Sequence, residues 1–123
     1  MKVLSVSTHC NIGGITYYIA TLASALQAIG IETVVATAGG ELEGELARRG
    51  IAHRRIPVAT KFEFHPRVFV SGVLLARIVR AERIDVIHAH TRVSQVAAAI
   101  ASRLTGVPVV TTCHGYFKKR LRR

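Results

Sequence analysis

The sequence predicts a doubly wound α/β domain on a mostly parallel sheet of strand order 3-2-1-4-5, and three observations carry that prediction. Short β-branched runs alternate strictly with longer segments of helical periodicity. The strand-like runs are nearly continuous in apolar residues, as burial on both faces of a parallel sheet requires. The chain has 123 residues, 50% hydrophobic and 20% charged, which suffices for one hydrophobic core and not for two.

The elements follow in order. Lys2 to Thr8 is short and β-branched, and the breaker run Asn11-Ile12-Gly13-Gly14 follows it, so a first strand enters a glycine loop. Ile15, Ile19, Leu22, Leu26 and Ile29 then recur at helical spacing, and Gly30 stops that helix. Ile31 to Thr37 is a second strand. Glu41 to Arg49 places its acids first and its arginines last, matching the helix dipole, with Gly50 as the stop. Ile51 to Val58 is a third strand, assigned near the sheet edge because Arg54 and Arg55 interrupt it. Pro66 opens a helix whose predicted apolar stripe is Val70, Leu74, Ile78 and Ala81, with Arg77, Arg80 and Arg83 on another face. Ile84 to Ala89 is the fourth strand. Val93, Val96, Ala97, Ile100 and Leu104 mark the next helix up to Gly106, and Val107 to Thr112 is the fifth strand. Right-handed crossovers turn this alternation into a sheet covered on both faces. In the order 3-2-1-4-5 the chain reverses between strands one and four, which opens a crevice at their carboxyl ends.

Charge narrows the partners. Lys and Arg total 17 against 7 Asp and Glu, a net charge of +10 that favours anionic ligands or surfaces. The excess lies late in the chain, and Lys118, Lys119, Arg120, Arg122 and Arg123 form a basic tail over 118–123. Two cysteines, Cys10 and Cys113, are too few for a secreted disulfide framework, and no cleavage site follows an apolar run after Lys2. These features point to a reducing, cytoplasmic location. Polar residues and glycines break the charge-free stretch from Val3 to Ile31, so no transmembrane helix is predicted.

Three segments with chemical potential meet at the carboxyl edge: Thr8 to Gly14, His88 to Arg92, and Thr112 to Gly115. The glycines allow close backbone approach to a ligand, and a helix starting beside them offers free N–H groups to phosphate. The loop has neither Gly-x-Gly-x-x-Gly nor the Gly-Lys-Ser/Thr ending of a nucleotide-triphosphate loop, and an ordinary tight turn explains it equally well. Strand alternation is expected to send His88 into the sheet and to leave His90 facing the crevice.

In these elements the sequence resembles the N-terminal domain of a family 4 glycosyltransferase, a retaining enzyme of the GT-B fold. The resemblance rests on the opening strand followed by Asn11-Ile-Gly-Gly-Ile15, on Asp85-Val-Ile-His-Ala-His90, and on Thr111-Thr-Cys-His-Gly115. It implies a Rossmann-like half of a GT-B fold over residues 1–117. Gly13 and Gly14 would lie beside the donor diphosphate and acceptor, and His114 would contact the transferred sugar as the catalytic-site residue. His90 would line the acceptor side, where Arg92 and Tyr17 are the further candidates. The implied function is the acceptor-binding part of a hexosyltransferase that moves sugar from a nucleotide-sugar to a glycan or lipid-linked acceptor. The nucleotide-sugar is substrate, and no cofactor or metal is implied. The resemblance also implies a second, donor-binding domain, so the chain alone should be inactive unless a separate subunit supplies that domain. Aligned donors suit this chemistry, because negative charge grows on the leaving phosphate. No pair of carboxylates at the crevice edge suits a hydrolytic glycosidase.

Other readings compete. His9, Cys10, His90, Cys113 and His114 are potential zinc ligands, but adjacent His-Cys pairs lack metal-site spacing. A Cys10–Cys113 disulfide would have to span about two strand spacings, roughly 9–10 Å, and is disfavoured. Aromatic residues are only 6%, so no sequence-specific nucleic-acid surface is expected. The arginine helix and basic tail suit an anionic membrane surface, which would make the protein peripheral at the inner face. A noncatalytic α/β interaction module, docking through its fifth strand or serving as a split-enzyme subunit, is the alternative of a different class.

Overall fold

Among the described residues the alternating pattern folds as nine elements: β1 (Lys2–Val6), α1 (Gly14–Ala28), β2 (Glu32–Thr37), α2 (Glu43–Arg48), β3 (Ala52–Arg55), α3 (Pro66–Glu82), β4 (Val86–Ala89), α4 (Arg92–Thr105) and β5 (Val109–Thr111). The computed structural model describes residues 1–9, 13–58 and 65–112. The sheet order is β3-β2-β1-β4-β5, and every pairing is parallel. The Rossmann-like α/β fold and strand order read from the sequence are therefore the observed ones. β3 lies at one edge, where its arginines remain exposed.

Alternation along the strands divides the interior into two layers. Leu4, Val6, Val34, Ala36, Ile87 and Ala89 face a core closed by α3 and α4. Val35 faces the opposite way, into a smaller core closed by α1 and α2 with Ile19, Ala20, Ala23 and Leu46. Successive strand residues point to opposite faces, so one apolar run feeds both layers.

Helix ends follow local chemistry. Pro66 sits at the start of α3, and the His65 side chain accepts a hydrogen bond from the Arg67 N–H. Gly30 leaves α1 at φ 87°, a left-handed conformation that a Cβ would strain. The stop after α3 is Arg83, a non-glycine residue at φ 55°. In α2, Glu45 receives hydrogen bonds from Arg48 and Arg49, one turn on.

The helices expose some of the large residues expected to pack. Ile29, Val70 and Leu104 are 72%, 52% and 48% exposed. The buried faces consist largely of small side chains: Thr16, Ala20 and Ala23 in α1, Ser71, Gly72 and Ala76 in α3, and Ser94, Ala97, Ala98 and Ala101 in α4. Small residues let a helix backbone come close to its neighbour, and α3 and α4 show how close. A Cβ placed on Gly72 would lie 2.7 Å from both Cβ and Cγ2 of Ile100. The contact thus selects a face by closeness of approach rather than by side-chain size.

Candidate active site

The crevice opens where the sheet order reverses, between the carboxyl ends of β1 and β4. Parallel register sets Ser5 beside His88 and Val6 beside Ala89, and the His90 N–H donates to the Val6 carbonyl at 3.0 Å. These bonds bring Thr8, whose carbonyl accepts from the Ala38 N–H at 3.1 Å, close to Thr91. Their hydroxyl oxygens are 2.8 Å apart.

Thr91 is the N-cap of α4. Its hydroxyl accepts from the Ser94 N–H at 3.3 Å, and Ser94 Oγ accepts from the Thr91 N–H at 2.9 Å, a reciprocal capping box. The hydroxyl of Thr91 also lies 2.9 Å from Ser94 Oγ, its acceptor. When Thr91 donates there, Thr8 donates to Thr91, and the chain leaving β1 is tied to the start of α4.

α1 begins differently. Its N-cap is Gly13, in extended conformation, and among the described residues no side chain caps the helix. Gly13 and Gly14 are both exposed, and a Cβ at Gly14 would meet nothing within 4 Å. The Gly14 position therefore borders open space among the described residues, at the positive end of the helix dipole. Of these two helix starts, α4 is closed by its own hydroxyls, whereas α1 begins at two exposed glycines with no side-chain cap among the described residues.

The histidines differ from expectation. Residues 88 and 90 are two apart on an extended chain, so alternation places them on the same side, not on opposite ones. Their ring centroids are 4.0 Å apart. His90 is the buried member at 2% exposure, whereas His88 is half-buried and its Nε2 shares a hydrogen bond with the Thr112 hydroxyl. Tyr18 of α1 sits edge-on to His90, with centroids 6.0 Å apart. Tyr17, the tyrosine expected at the acceptor side, is exposed one position earlier, and Arg92 is exposed at the first turn of α4.

The structure thus gathers Gly13, Gly14, His90 and Arg92 around one sheet end, and adds Thr8, Tyr18, Thr91 and Thr112, which the sequence reading did not select. Tyr18 was accessible to it: four residues after Gly14, it shares that residue's helix face. The expected catalytic-site residue, His114, lies outside the described residues, as do Asn11, Cys10, Cys113 and the basic tail. Among the described residues, no three His, Cys, Asp or Glu side chains form a group that could hold a metal ion.

The all-parallel sheet of this order matches the fold of GT-B glycosyltransferase half-domains. The comparisons make the family specific. The Glycosyltransferase Family 4 profile matches residues 12–123, and the chain belongs to that family. A D-inositol 3-phosphate glycosyltransferase of Arthrobacter sp. strain FB24 is 34% identical over 113 residues, covering 83% of this chain and 27% of the relative. The chain thus spans about a quarter of the length of the curated relatives it matches. The crystal structure of a glycosyltransferase from Rickettsia africae superposes with a TM-score of 0.79 at 22% identity, covering 94% of this chain and 30% of that one. Anabaena Alr3699/HepE, solved in complex with UDP and glucose, gives a TM-score of 0.71 at 21% identity, covering 99% and 34%. At that identity the two structures speak for the fold alone.

Proposed function

We propose that the chain is the acceptor-side part of a glycosyltransferase that moves a sugar from a nucleotide-sugar to a glycan or lipid-linked acceptor. The observation that carries this reading is the contrast between the two helix starts at the crevice: α4 is capped by Thr91, and α1 is uncapped behind Gly13 and Gly14. In this reading the donor diphosphate lies against the α1 N–H groups, which stabilise charge as the phosphate leaves. His114 hydrogen-bonds the transferred sugar and orients its anomeric carbon. Arg92 and Tyr17 line the acceptor side. His90 shapes that wall from beneath, through its contacts with His88 and Tyr18. The acceptor oxygen forms the new bond to the anomeric carbon, and the nucleoside diphosphate leaves with the electron pair of the broken bond, its phosphate oxygen taking up the proton that the hydroxyl loses.

A second domain or subunit supplies most of the grip on the nucleotide, so the 123-residue chain by itself turns over little or no substrate. The relatives' names make a phosphorylated polyol the first acceptor to try, and the exposed Arg92 suits its charge. The same reading places the protein in the cytoplasm, peripheral at the inner face of the membrane. Among the described residues, no helix is long and apolar enough to cross one.

Amide-resolved NMR titration with UDP and with inorganic pyrophosphate tests the site. The expected result is saturable shifts at Gly13, Gly14 and Ile15, with no turnover when a nucleotide-sugar and inositol phosphate are supplied together. Unmoved amides at all three positions would overturn the phosphate assignment. Robust transfer by the monomeric chain would overturn the half-site reading.

A further inference from the structure

The surface farthest from α1 carries an apolar patch that the crevice does not use. Phe69, Val70 and Val73 of α3 are 50%, 52% and 48% exposed. Of these, Phe69 lines an apolar groove with Val96, Ala99, Ile100 and Leu104 of α4. The groove encloses about 320 Å³. Val70, Val73 and Arg77 are spaced three and four apart and so share one helix face. Contiguous exposed apolar surface of this kind marks an interaction site rather than scattered surface residues.

Charge identifies the occupant. Residues 65–112 contain six arginines, namely Arg67, Arg77, Arg80, Arg83, Arg92 and Arg103, against only Glu82 and Asp85. Both acids are engaged away from the groove: Glu82 pairs with Arg54 and Lys2, and Asp85 accepts from the Lys2 N–H. Arg103 lines the groove, and Arg80 crosses it to donate to the Leu104 carbonyl. Arg67, Arg77 and Arg103 are exposed and have no carboxylate partner among the described residues. A surface that is apolar at its centre and cationic at its rim is complementary to an anionic lipid interface, where the apolar groups enter the acyl boundary and arginines reach the headgroups.

We infer that the outer face of α3 and α4 is the surface by which this protein docks on an anionic bilayer. The inference rests on the peripheral-membrane reading above and assigns it to named residues. Position supports the assignment. α3 ends beside the start of β4, so its first turn, with Phe69 next to it, lies toward the carboxyl end of the sheet, where the crevice opens. A bilayer on this face lies along the rim of the crevice, within reach of a lipid-linked acceptor.

The chain contains no tryptophan, so single replacements report cleanly. Phe69→Trp should shift its emission to the blue on mixing with vesicles of phosphatidylcholine containing about a third phosphatidylglycerol. Thr21→Trp, on exposed α1 across the sheet, should not shift. In sedimentation with the same vesicles, Phe69→Ser/Val73→Ser should weaken uptake roughly tenfold. Arg67→Gln/Arg77→Gln should weaken it roughly fivefold per arginine, and raising salt from about 0.1 M to about 0.5 M should weaken uptake of the wild type. Circular dichroism should be unchanged in each, because these side chains are exposed. Uptake that survives both pairs of substitutions but disappears with Lys118→Gln/Lys119→Gln/Arg120→Gln would overturn the helix face and leave membrane binding to the tail. Absence of uptake by any vesicle would overturn both. Apolar substitutions that instead dissociate a dimer would assign the face to a second copy and overturn the proposal.

Discussion

Gly14 shows what one residue contributes when it contributes nothing but space. Its absent side chain would touch nothing within 4 Å, so no packing demand within the described structure accounts for a glycine there. The open volume in front of an uncapped helix start is what a ligand would occupy. Gly14→Val should therefore leave stability within about 0.5 kcal/mol of wild type, measured by urea denaturation. The same substitution should abolish the pyrophosphate-induced shifts of Gly13 and Ile15. A large loss of stability would show that the glycine serves the fold. The neighbouring histidines carry the opposite lesson. Their i, i+2 spacing places both rings on one side of β4, and burial then falls on His90, under Tyr18, rather than on His88.

Between elements, α3 and α4 approach closely at Gly72 and Ile100. An added Cβ at 2.7 Å from two side-chain atoms must push the helices apart, even though alanine is the better helix former by about 1 kcal/mol. Gly72→Ala should destabilise the protein by about 1–3 kcal/mol in a urea titration. Adding Ile100→Ala removes the Cγ2 contact but keeps the Cβ contact, so the double substitution should recover only part of the loss. The same closeness explains why α3 and α4 bury alanine, serine and glycine side by side. Periodicity assigned Ile19, Val93 and Ala97 to faces that are buried and Leu74, Ile78 and Val96 to faces that meet the core, while Val70 and Leu104 at the ends of those stripes remain exposed.

For the molecule as a whole, acid should be the destabilising direction. Burial holds the His53 imidazole below its ordinary value of 6.5, against the opposing attraction of Glu43. The ring lies 2.8 Å from the Thr37 hydroxyl through Nε2 and 3.7 Å from Glu43 through Nδ1. The unfolded chain then takes up this proton before the folded one does, and stability falls as pH drops below 6.5. Glu43 and Glu45 act in the same direction at lower pH. The Gly40 N–H holds the first carboxyl below 4.5, and Arg49 and Arg48 hold the second there. Thermal unfolding should show a falling midpoint from about pH 6.5 to pH 5, and His53→Gln should flatten that segment while leaving the drop below 4.5. A midpoint independent of pH across the upper interval would contradict the assignment.

The order of the elements, the parallel sheet and the place of the crevice at its carboxyl end were legible in the sequence, because breakers, strand runs and helical periods are local signals. Gly13, Gly14, His90 and Arg92 could be assigned to that end on the same basis. Which helix face is buried, which tyrosine meets His90, and the tie between Thr8 and Thr91 across 83 positions were decided only in three dimensions. Those contacts depend on register between strands and on the distance of approach between layers. Neither is written in any single stretch of chain, since both arise when the elements pack.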